Sequence, residues 1–522
     1  MKLFHISIFV FRISNLVAAR GRARKSVVSN VFFNLRSCPA NPMIRVRFAP
    51  SPTGLLHIGN ARMAIFNWLF AKRYKGVFVL RIEDTDVVRS EKRYTTQLIE
   101  DLHWLGLSWQ EGPDVGGGYA PYLQSERMHI YHDVCKKFIA DGLAYRCYCT
   151  PEALEERRQI ARLSGKPPRY DNRCRALTDK QIHSFEASRS PYTIRFKVPD
   201  ELLVFEELIR GTCQFDMSLM GDFVIMRSDA TPSFHLAVVV DDTLMNITHV
   251  IRGEDHLSNT PCHLLLFHAL KQKPPQFAHL SLTMGADRSL LSKRHGASSI
   301  SEYRKLGYLP ETLLNYMMLL GWSPIDKKEK FNVDDVVDTF EISSMSKSSA
   351  IFDQQKLDWI SGQYMREADI ERLTDLAIPY LQTAGFVSTD NGKIDRNRVK
   401  SIVDAVRGNI ACMSQIVQEA DIFFKDAVVS EDHVTFLSSE TCQSILAAFN
   451  TKLQKLDTIS PEIFKEMLKS VQKETKVSGK GLYLPIRIAL TGREHGPELY
   501  SIASILGIGG CKKRIEQFLL VK

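Results

Sequence analysis

The segment Arg47–Arg62, RFAPSPTGLLHIGNAR, admits few folds. Upstream and into it, Ile44 to Pro50 alternates apolar and basic residues and ends on proline, which reads as a strand running into a loop. Ser51, Pro52, Thr53 and Gly54 make that loop tight. His57-Ile58-Gly59-Asn60 then opens a helix over Asn60 to Tyr74, with Met63, Phe66, Leu69 and Phe70 on a wide apolar face and Gly76 just past its end. Val77 to Ile82 (VFVLRI) is rich in β-branched residues and reads as a second strand. Strand, loop, helix, strand is a βαβ unit, which implies a parallel sheet covered by helices. The free N–H groups and positive dipole at the start of such a helix suit a phosphate. Gly59 has no Cβ to block a close approach, and His57 can donate to a phosphate oxygen. A glycine after a histidine at a helix start is, on its own, most often structural, so the weight falls on the whole string.

The rest of the chain is organised around this unit. At 522 residues it exceeds one ordinary domain and suggests three or four. Hydrophobic content of 44% with 24% charged residues is the balance of a soluble globular protein, and no apolar run approaches the roughly 20 residues of a membrane helix. A net charge of +9 is compatible with a polyanionic partner without identifying one. Ten cysteines over this length do not make a compact disulfide framework. From about Cys147 to Arg227 the pattern is mixed, with a charged helix near Pro151 to Leu163 and short strands such as Tyr192 to Val198, and reads as an insertion. HLAVVVDD (His235 to Asp242) and ITHVIRG (Ile247 to Gly253) read as a return to sheet. After about Ser301 the chain reads as helical nearly throughout, with a loop at Ser388 to Lys393. There is no internal repeat and no low-complexity tract.

The N-terminus has its own character. No Asp or Glu occurs from Met1 to Ile82, while Lys2, Arg12, Arg20, Arg22, Arg24, Lys25 and Arg36 are interspersed with Ser7, Ser14, Ser26, Ser29 and Ser37. Such a stretch has the composition of an organelle transit peptide, drawn as a positive amphipathic helix by a potential negative inside. Arg12 interrupts the apolar run Leu3 to Val10 early, which disfavours a secretory signal; a basic arm that touches RNA is the plain alternative. Import into the mitochondrial matrix is the expectation.

Taken whole, RFAPSPTG followed by His57-Ile58-Gly59-Asn60 resembles the first signature of class I aminoacyl-tRNA synthetases, and specifically their glutamyl branch. The resemblance continues through RIEDTD (Arg81 to Asp86), WLGLSWQEGP (Trp104 to Pro113), HVIRGEDHLSNTP (His249 to Pro261), LLSKRHG (Leu290 to Gly296) and LPIRIALTG (Leu484 to Gly492), so it covers nearly the whole chain from Met43. It implies a multidomain α/β fold: a Rossmann-type parallel-sheet catalytic domain in two halves (43–146 and 231–300), an insertion holding the tRNA acceptor end (147–230), a helical stem-contact region (301–375) and an all-α anticodon-binding region (376–522), after a transit segment (1–42). It implies ATP with Mg²⁺, L-glutamate and tRNA(Glu) as partners, no membrane, and a monomer.

The same resemblance assigns residues. LLSKRHG is similar to the second class I signature, so Lys293 and Arg294 would join His57 in stabilising charge built up during adenylyl transfer. ATP would also meet Gly59, Asn60, Asp255, Leu290, Leu291 and Ser292. Glutamate would meet Arg47, Phe48, Ala49, Ser51, Glu83, Arg252 and the run Phe234, His235, Leu236, Ala237 and Val238. In this assignment an arginine takes the side-chain carboxylate and Glu83 takes the ammonium. Two positions depart from the family: Leu290 stands where a lysine is usual, and Phe234 where a tyrosine is frequent. Cys147, Cys149 and Cys174 resemble the zinc-binding insertion of some bacterial members, but Ala176 occupies the place of the fourth ligand, for which Tyr170 or water is the available substitute, so structural zinc is not expected. Three alternatives stay open: a non-discriminating enzyme that also charges tRNA(Gln), a shorter relative that glutamylates a modified tRNA base, and an inactive RNA-binding paralogue. The block at Leu484 to Gly492 argues against the second, because that relative lacks the anticodon domain.

Overall fold

A computed structural model of the chain describes residues 43–86, 90–165, 167–291 and 298–519. The proposed transit segment and Ser292, Lys293 and Arg294 lie outside the described residues. Strand β1 (Arg45–Phe48) runs through the 51–57 loop into helix α1 (Ile58–Arg73), and β2 (Val77–Leu80) returns parallel to β1, pairing Arg45 with Val77 through Phe48 with Leu80. The βαβ unit read from the sequence is therefore present. Helix α1 is apolar over more than one face because it is buried over more than one face. Ile58, Ala61, Ile65, Phe66 and Leu69 are all fully enclosed, and burying each large one is worth about 1.5–3 kcal/mol. Arg62, equally buried, donates to the Ser281 carbonyl at 2.5 Å. The chain passes this guanidinium at Gly321, whose φ of +101° and absent Cβ are both required there: a Cβ would lie 2.4 Å from Arg62 Nη2.

Helix α2 (Lys92–Trp104) precedes α3 (Met128–Ala140), after which β3 (Ala144–Cys147) leaves the catalytic sheet. Helices α4 (Pro151–Leu163) and α5 (Asp179–Ala187) follow, each started by a threonine N-cap that accepts a backbone N–H. β4 (Thr193–Phe196) pairs antiparallel with both β3 and the later β7 (Phe223–Met226), giving a small three-stranded sheet. Between them, the hairpin of β5 (Leu202–Glu207) and β6 (Gly211–Asp216) rejoins the catalytic body.

HLAVVVDD is not a strand. It forms helix α6 (Phe234–Leu244), capped by Ser233, whose side chain accepts the Leu236 N–H. Leu236 through Asp242 are all buried, so the run is uniformly apolar and its period is silent. Three consecutive valines favour sheet locally, but enclosure on every side decides for helix. β8 (His249–Gly253), α7 (Thr260–Ala269) and β9 (Gln276–Leu280) complete the unit, β8 and β9 being parallel. β1 lies beside β8, with Thr248 N–H donating to Arg45 O at 2.9 Å. β5 joins β9 in parallel at Glu207 opposite Phe277, and β6 is antiparallel. The catalytic sheet is thus mixed rather than wholly parallel, because the β5–β6 hairpin closes its edge.

β10 (Thr283–Met284) pairs with β11 (Ala350–Ile351) across the intervening α8 (Ile300–Leu306), α9 (Pro310–Leu319) and α10 (Val333–Val337). From there the described chain is helical: α11 (Gln354–Glu367), α12 (Ile370–Thr383), α13 (Arg396–Val406) and long helices at Glu440–Leu453, Pro461–Thr475, Lys480–Thr491 and Leu499–Glu516. Their apolar faces make a separate core that includes Leu373, Val403, Phe449, Ile486 and Ile502. No helix among the described residues is long and apolar enough to cross a membrane.

Candidate active site

The carboxyl ends of β1 and β8, the first turn of α1 and the first turns of α6 enclose a cleft of about 510 Å³. Ligands in open α/β sheets bind outside the carboxyl ends of the strands. Of the residues assigned from the sequence, the cleft brings together Arg47, Phe48, Ala49, Ser51, His57, Gly59, Asn60, Glu83, Phe234, Val238, Arg252, Asp255, Leu290 and Leu291. It does not take in His235, Leu236 or Ala237. Helix α6 turns Phe234 and Val238, four residues apart, to the cleft. Leu236 and Ala237 enter the core, and His235 faces His263 at 3.2 Å. Pro50, Thr53, Met63, Ile251, Gly253, His256, Leu282 and Thr283 also line the cleft and were not singled out in the sequence. Most are apolar or backbone-facing neighbours of assigned residues, and no chemical pattern marks them.

His57 caps α1. Its Nδ1 accepts the Gly59 N–H at 3.3 Å, so the ring proton sits on Nε2. Nε2 is buried and has no protein partner among the described residues. Burial lowers the His57 pKa, with Glu302 opposing, so the ring is neutral and offers one directed N–H beside the free N–H groups of the helix start. Gly59 faces open space, with only His57 near an added Cβ at 3.8 Å. Gly253 is constrained differently: a Cβ there would come within 2.4 Å of Asp255 Oδ1. Leu290 is half-exposed on the rim of the cleft and bridges back to Met284.

Beneath the cleft lies a buried ionic network. Asp242 receives Arg47 through Nε at 3.1 Å and Nη2 at 3.3 Å, and Arg81 through Nη1 at 2.7 Å. Arg81 Nη2 also donates to Glu83 at 3.1 Å. Neighbouring Asp241 receives Arg127 at 2.7 Å and Tyr131 at 2.8 Å. Burial opposes ionisation of Asp242, but Arg47 and Arg81 overcome it and lower its pKa. Glu83 is pushed up to about 7, burial outweighing Arg81 and Arg47. Arg81, Asp241 and Asp242, which hold this network together beneath the cleft, were left unassigned in the sequence. The paired acids closing HLAVVVDD were the available signal, hidden by the strand reading.

Arg252 is different. It is buried, and burial, reinforced by Arg47, brings it down to about 9. Its donors go to His279 Nε2 at 3.2 Å, His263 Nδ1 at 3.0 Å, Thr260 Oγ1 at 2.9 Å and the His256 carbonyl at 3.2 Å. Among the described residues it makes no ion pair with a carboxylate. Arg47, Arg81, Arg127 and Arg252 thus face three carboxylates, Glu83, Asp241 and Asp242, and the surplus cation borders the cleft. Beside it are a helix start and a histidine N–H for phosphate. The arrangement suits a small molecule with a carboxylate next to a nucleotide.

Residues 43–359 match a family described as tRNA synthetases class I (E and Q), catalytic domain, and residues 372–519 match an anticodon binding domain. A glutamate–tRNA ligase of Heliobacterium modesticaldum is 46% identical over 477 residues, 91% of this chain and 96% of that protein. One of Carboxydothermus hydrogenoformans is 44% identical over 475 residues, 91% and 99%. The chain belongs to the glutamate–tRNA ligases. A crystal structure of a glutamate tRNA ligase from Elizabethkingia meningosepticum superimposes with a TM-score of 0.82 at 30% identity, covering 92% of this chain and 99% of that one. This ligase accordingly has a class I catalytic domain followed by a helical anticodon-binding domain.

In the insertion of this ligase, the Sγ atoms of Cys147, Cys149 and Cys174 lie within 4.8 Å of one another. The position that Ala176 leaves without a donor is met from elsewhere: the Tyr170 hydroxyl is 3.3 Å from Cys147 Sγ and 3.8 Å from Cys149 Sγ. Three sulfurs and one oxygen fit the tetrahedral donor set of zinc. None of the four lines the cleft, so a metal held there would order the insertion rather than enter the chemistry.

Proposed function

We propose that this enzyme joins L-glutamate to tRNA(Glu) in two steps for mitochondrial translation. A glutamate carboxylate oxygen attacks the α-phosphorus of ATP; the bond to the β-phosphate oxygen breaks, leaving glutamyl-adenylate and pyrophosphate. A hydroxyl of the terminal adenosine of tRNA then attacks the adenylate carbonyl, and AMP departs as the ester forms. One observation carries the reading: Arg252, a buried guanidinium with no carboxylate partner among the described residues, opens on the same cleft as the His57 Nε2, which has no partner among them either. Arg252 and Arg47 would hold the two carboxylates, and Glu83 the ammonium. The α1 start and His57 would hold phosphate oxygens while charge builds. Lys293 and Arg294 belong to the same step by resemblance. ATP would enter with Mg²⁺, which neutralises phosphate charge when bound. The protein's own share is positioning, and no covalent enzyme intermediate is needed. Zinc has no part in this chemistry.

The mitochondrial address rests on the acid-free, arginine-bearing stretch before residue 43, where the family match begins. A monomer acting on tRNA(Glu) completes the reading; the alternative, which an organelle address favours, is an enzyme that also glutamylates tRNA(Gln) ahead of an amidotransferase. The test is charging of purified mitochondrial tRNA(Glu) and tRNA(Gln) side by side, with Lys293→Ala as control. Glutamate ester on tRNA(Glu) is expected, and its absence overturns the reading. Ester on both establishes the alternative, and equal rates in wild type and Lys293→Ala remove the role given to Lys293. Uptake and processing by isolated mitochondria test the address.

A further inference from the structure

We propose that His263 and His279 are positioning residues that hold Arg252 through unprotonated ring nitrogens, aiming its charge at the substrate carboxylate without neutralising it. This rests on the glutamate reading of the cleft. A guanidinium can only donate, so each ring atom facing it must accept. His263 Nδ1, 3.0 Å from Nη1, is therefore bare, and its proton sits on Nε2, which points at His235 Nδ1 at 3.2 Å. His279 Nε2, 3.2 Å from Arg252 Nε, is bare too and is also 3.1 Å from Thr260 Oγ1. Its proton sits on Nδ1, facing buried Glu207 at 3.3 Å. The hydrogen bonds thus fix one tautomer for each ring, and they are opposite tautomers. A proton added to either facing nitrogen would set donor against donor and cation against cation.

The environment keeps both rings neutral. Burial lowers the pKa of His263 well below its ordinary range and brings His279 to about 4, Arg252 adding to both shifts. Four of the five Arg252 N–H groups are spent on these neutral acceptors, Thr260 and the His256 carbonyl, leaving one on Nη1. Contrast Arg47, which is clamped by the carboxylate of Asp242. A carboxylate would hold Arg252 as firmly as imidazoles do, but it would cancel the charge that favours anionic glutamate over an uncharged amide analogue.

The experiment compares His263→Asn with His263→Asp. Both keep an oxygen acceptor near the place of Nδ1; only the second carries charge. In pyrophosphate exchange with tRNA present, His263→Asn is expected to keep the KM for glutamate within about threefold of wild type. His263→Asp is expected to raise it roughly tenfold or more, with the KM for ATP unchanged. Equal effects of the two variants, or parallel changes in both KM values, overturn the proposal. A measurement on the wild type needs no variant to fold. Histidine ¹⁵N shifts should report Nε2–H at His263 and Nδ1–H at His279 at neutral pH, and a doubly protonated ring at either position overturns it as well. Failure of the underlying reading shows separately, as a wild type with no glutamate-dependent exchange.

Discussion

Arg252 and Glu83 border one cleft with opposite electrostatic problems. Arg252 makes no ion pair with a carboxylate among the described residues, so its removal should be felt where an anion binds. Arg252→Gln is expected to raise the KM for glutamate about a hundredfold while changing the KM for ATP little, read by pyrophosphate exchange at varied substrate. Glu83 is a carboxyl held near neutrality, at about 7, by burial. Below that pH it is protonated and attracts an ammonium poorly; above it, ionised, it attracts one well. The KM for glutamate should therefore fall as pH rises through about 7, and Glu83→Gln should abolish that inflection while weakening binding throughout. A flat profile in the wild type would remove Glu83 from ammonium recognition. Both residues were legible in the sequence, Arg252 inside HVIRGED and Glu83 inside RIEDTD. What was not legible was their setting. The acceptors around Arg252 come from β9, α7 and the turn after its own strand, and sequence distance gives no hint that His279 and His263 meet on one guanidinium.

At the scale of elements, β1, α1, β2, β8 and α4 were readable because their patterns are amphipathic or bounded by clear turn residues. Helix α6 was not, since a segment buried on every side carries no period, and with it went Asp241 and Asp242. The antiparallel β6 edge was likewise unreadable, because it arises from a hairpin inside what reads as an insertion. Helix α2 supports a test of its own. It packs on α8 with Asp101 fully enclosed; one oxygen accepts from Gln97 at 3.0 Å and the other has no partner among the described residues. Burial pushes Asp101 up to about 6 from an ordinary 3.8. The folded state thus binds the proton more tightly than the unfolded chain, and stability falls as pH rises from about 4 through 6. Asp101→Asn should flatten that slope and add about 1–2 kcal/mol at neutral pH, measured by urea unfolding across pH. In the small sheet, convergence of Cys147, Cys149, Cys174 and Tyr170 changes the outlook on zinc. Metal analysis of purified protein should find about one zinc per chain, reduced in Tyr170→Phe. A metal-free protein would leave the cluster as hydrogen-bonded thiols, in line with the expectation from Ala176.

At the scale of the whole molecule, the catalytic and helical halves keep separate cores, and most of the net charge of +9 belongs to the seven basic residues before residue 43, so the halves meet RNA through local basic contacts rather than through a large overall charge. Affinity for tRNA should fall linearly in log–log form as salt rises, while the KM for glutamate, set in an enclosed cleft, should change far less; fluorescence binding titrations and exchange assays at several salt concentrations measure the two. An equal salt response in both would argue against the division.

Helix α11 crosses the border between these halves. Leu357 and Ile360 belong to the catalytic core and Met365 near its end to the helical core; the catalytic-domain match ends within it, at residue 359, and the anticodon-domain match begins beyond it, at residue 372. Two residues before it, β11 pairs with β10, the strand that leads toward Lys293. The helix therefore ties the two cores together. Its fourteen residues span about 21 Å, so a tilt of about 5° displaces one end by about 2 Å relative to the other. A displacement of the helical core is therefore carried along one rigid element into the catalytic core.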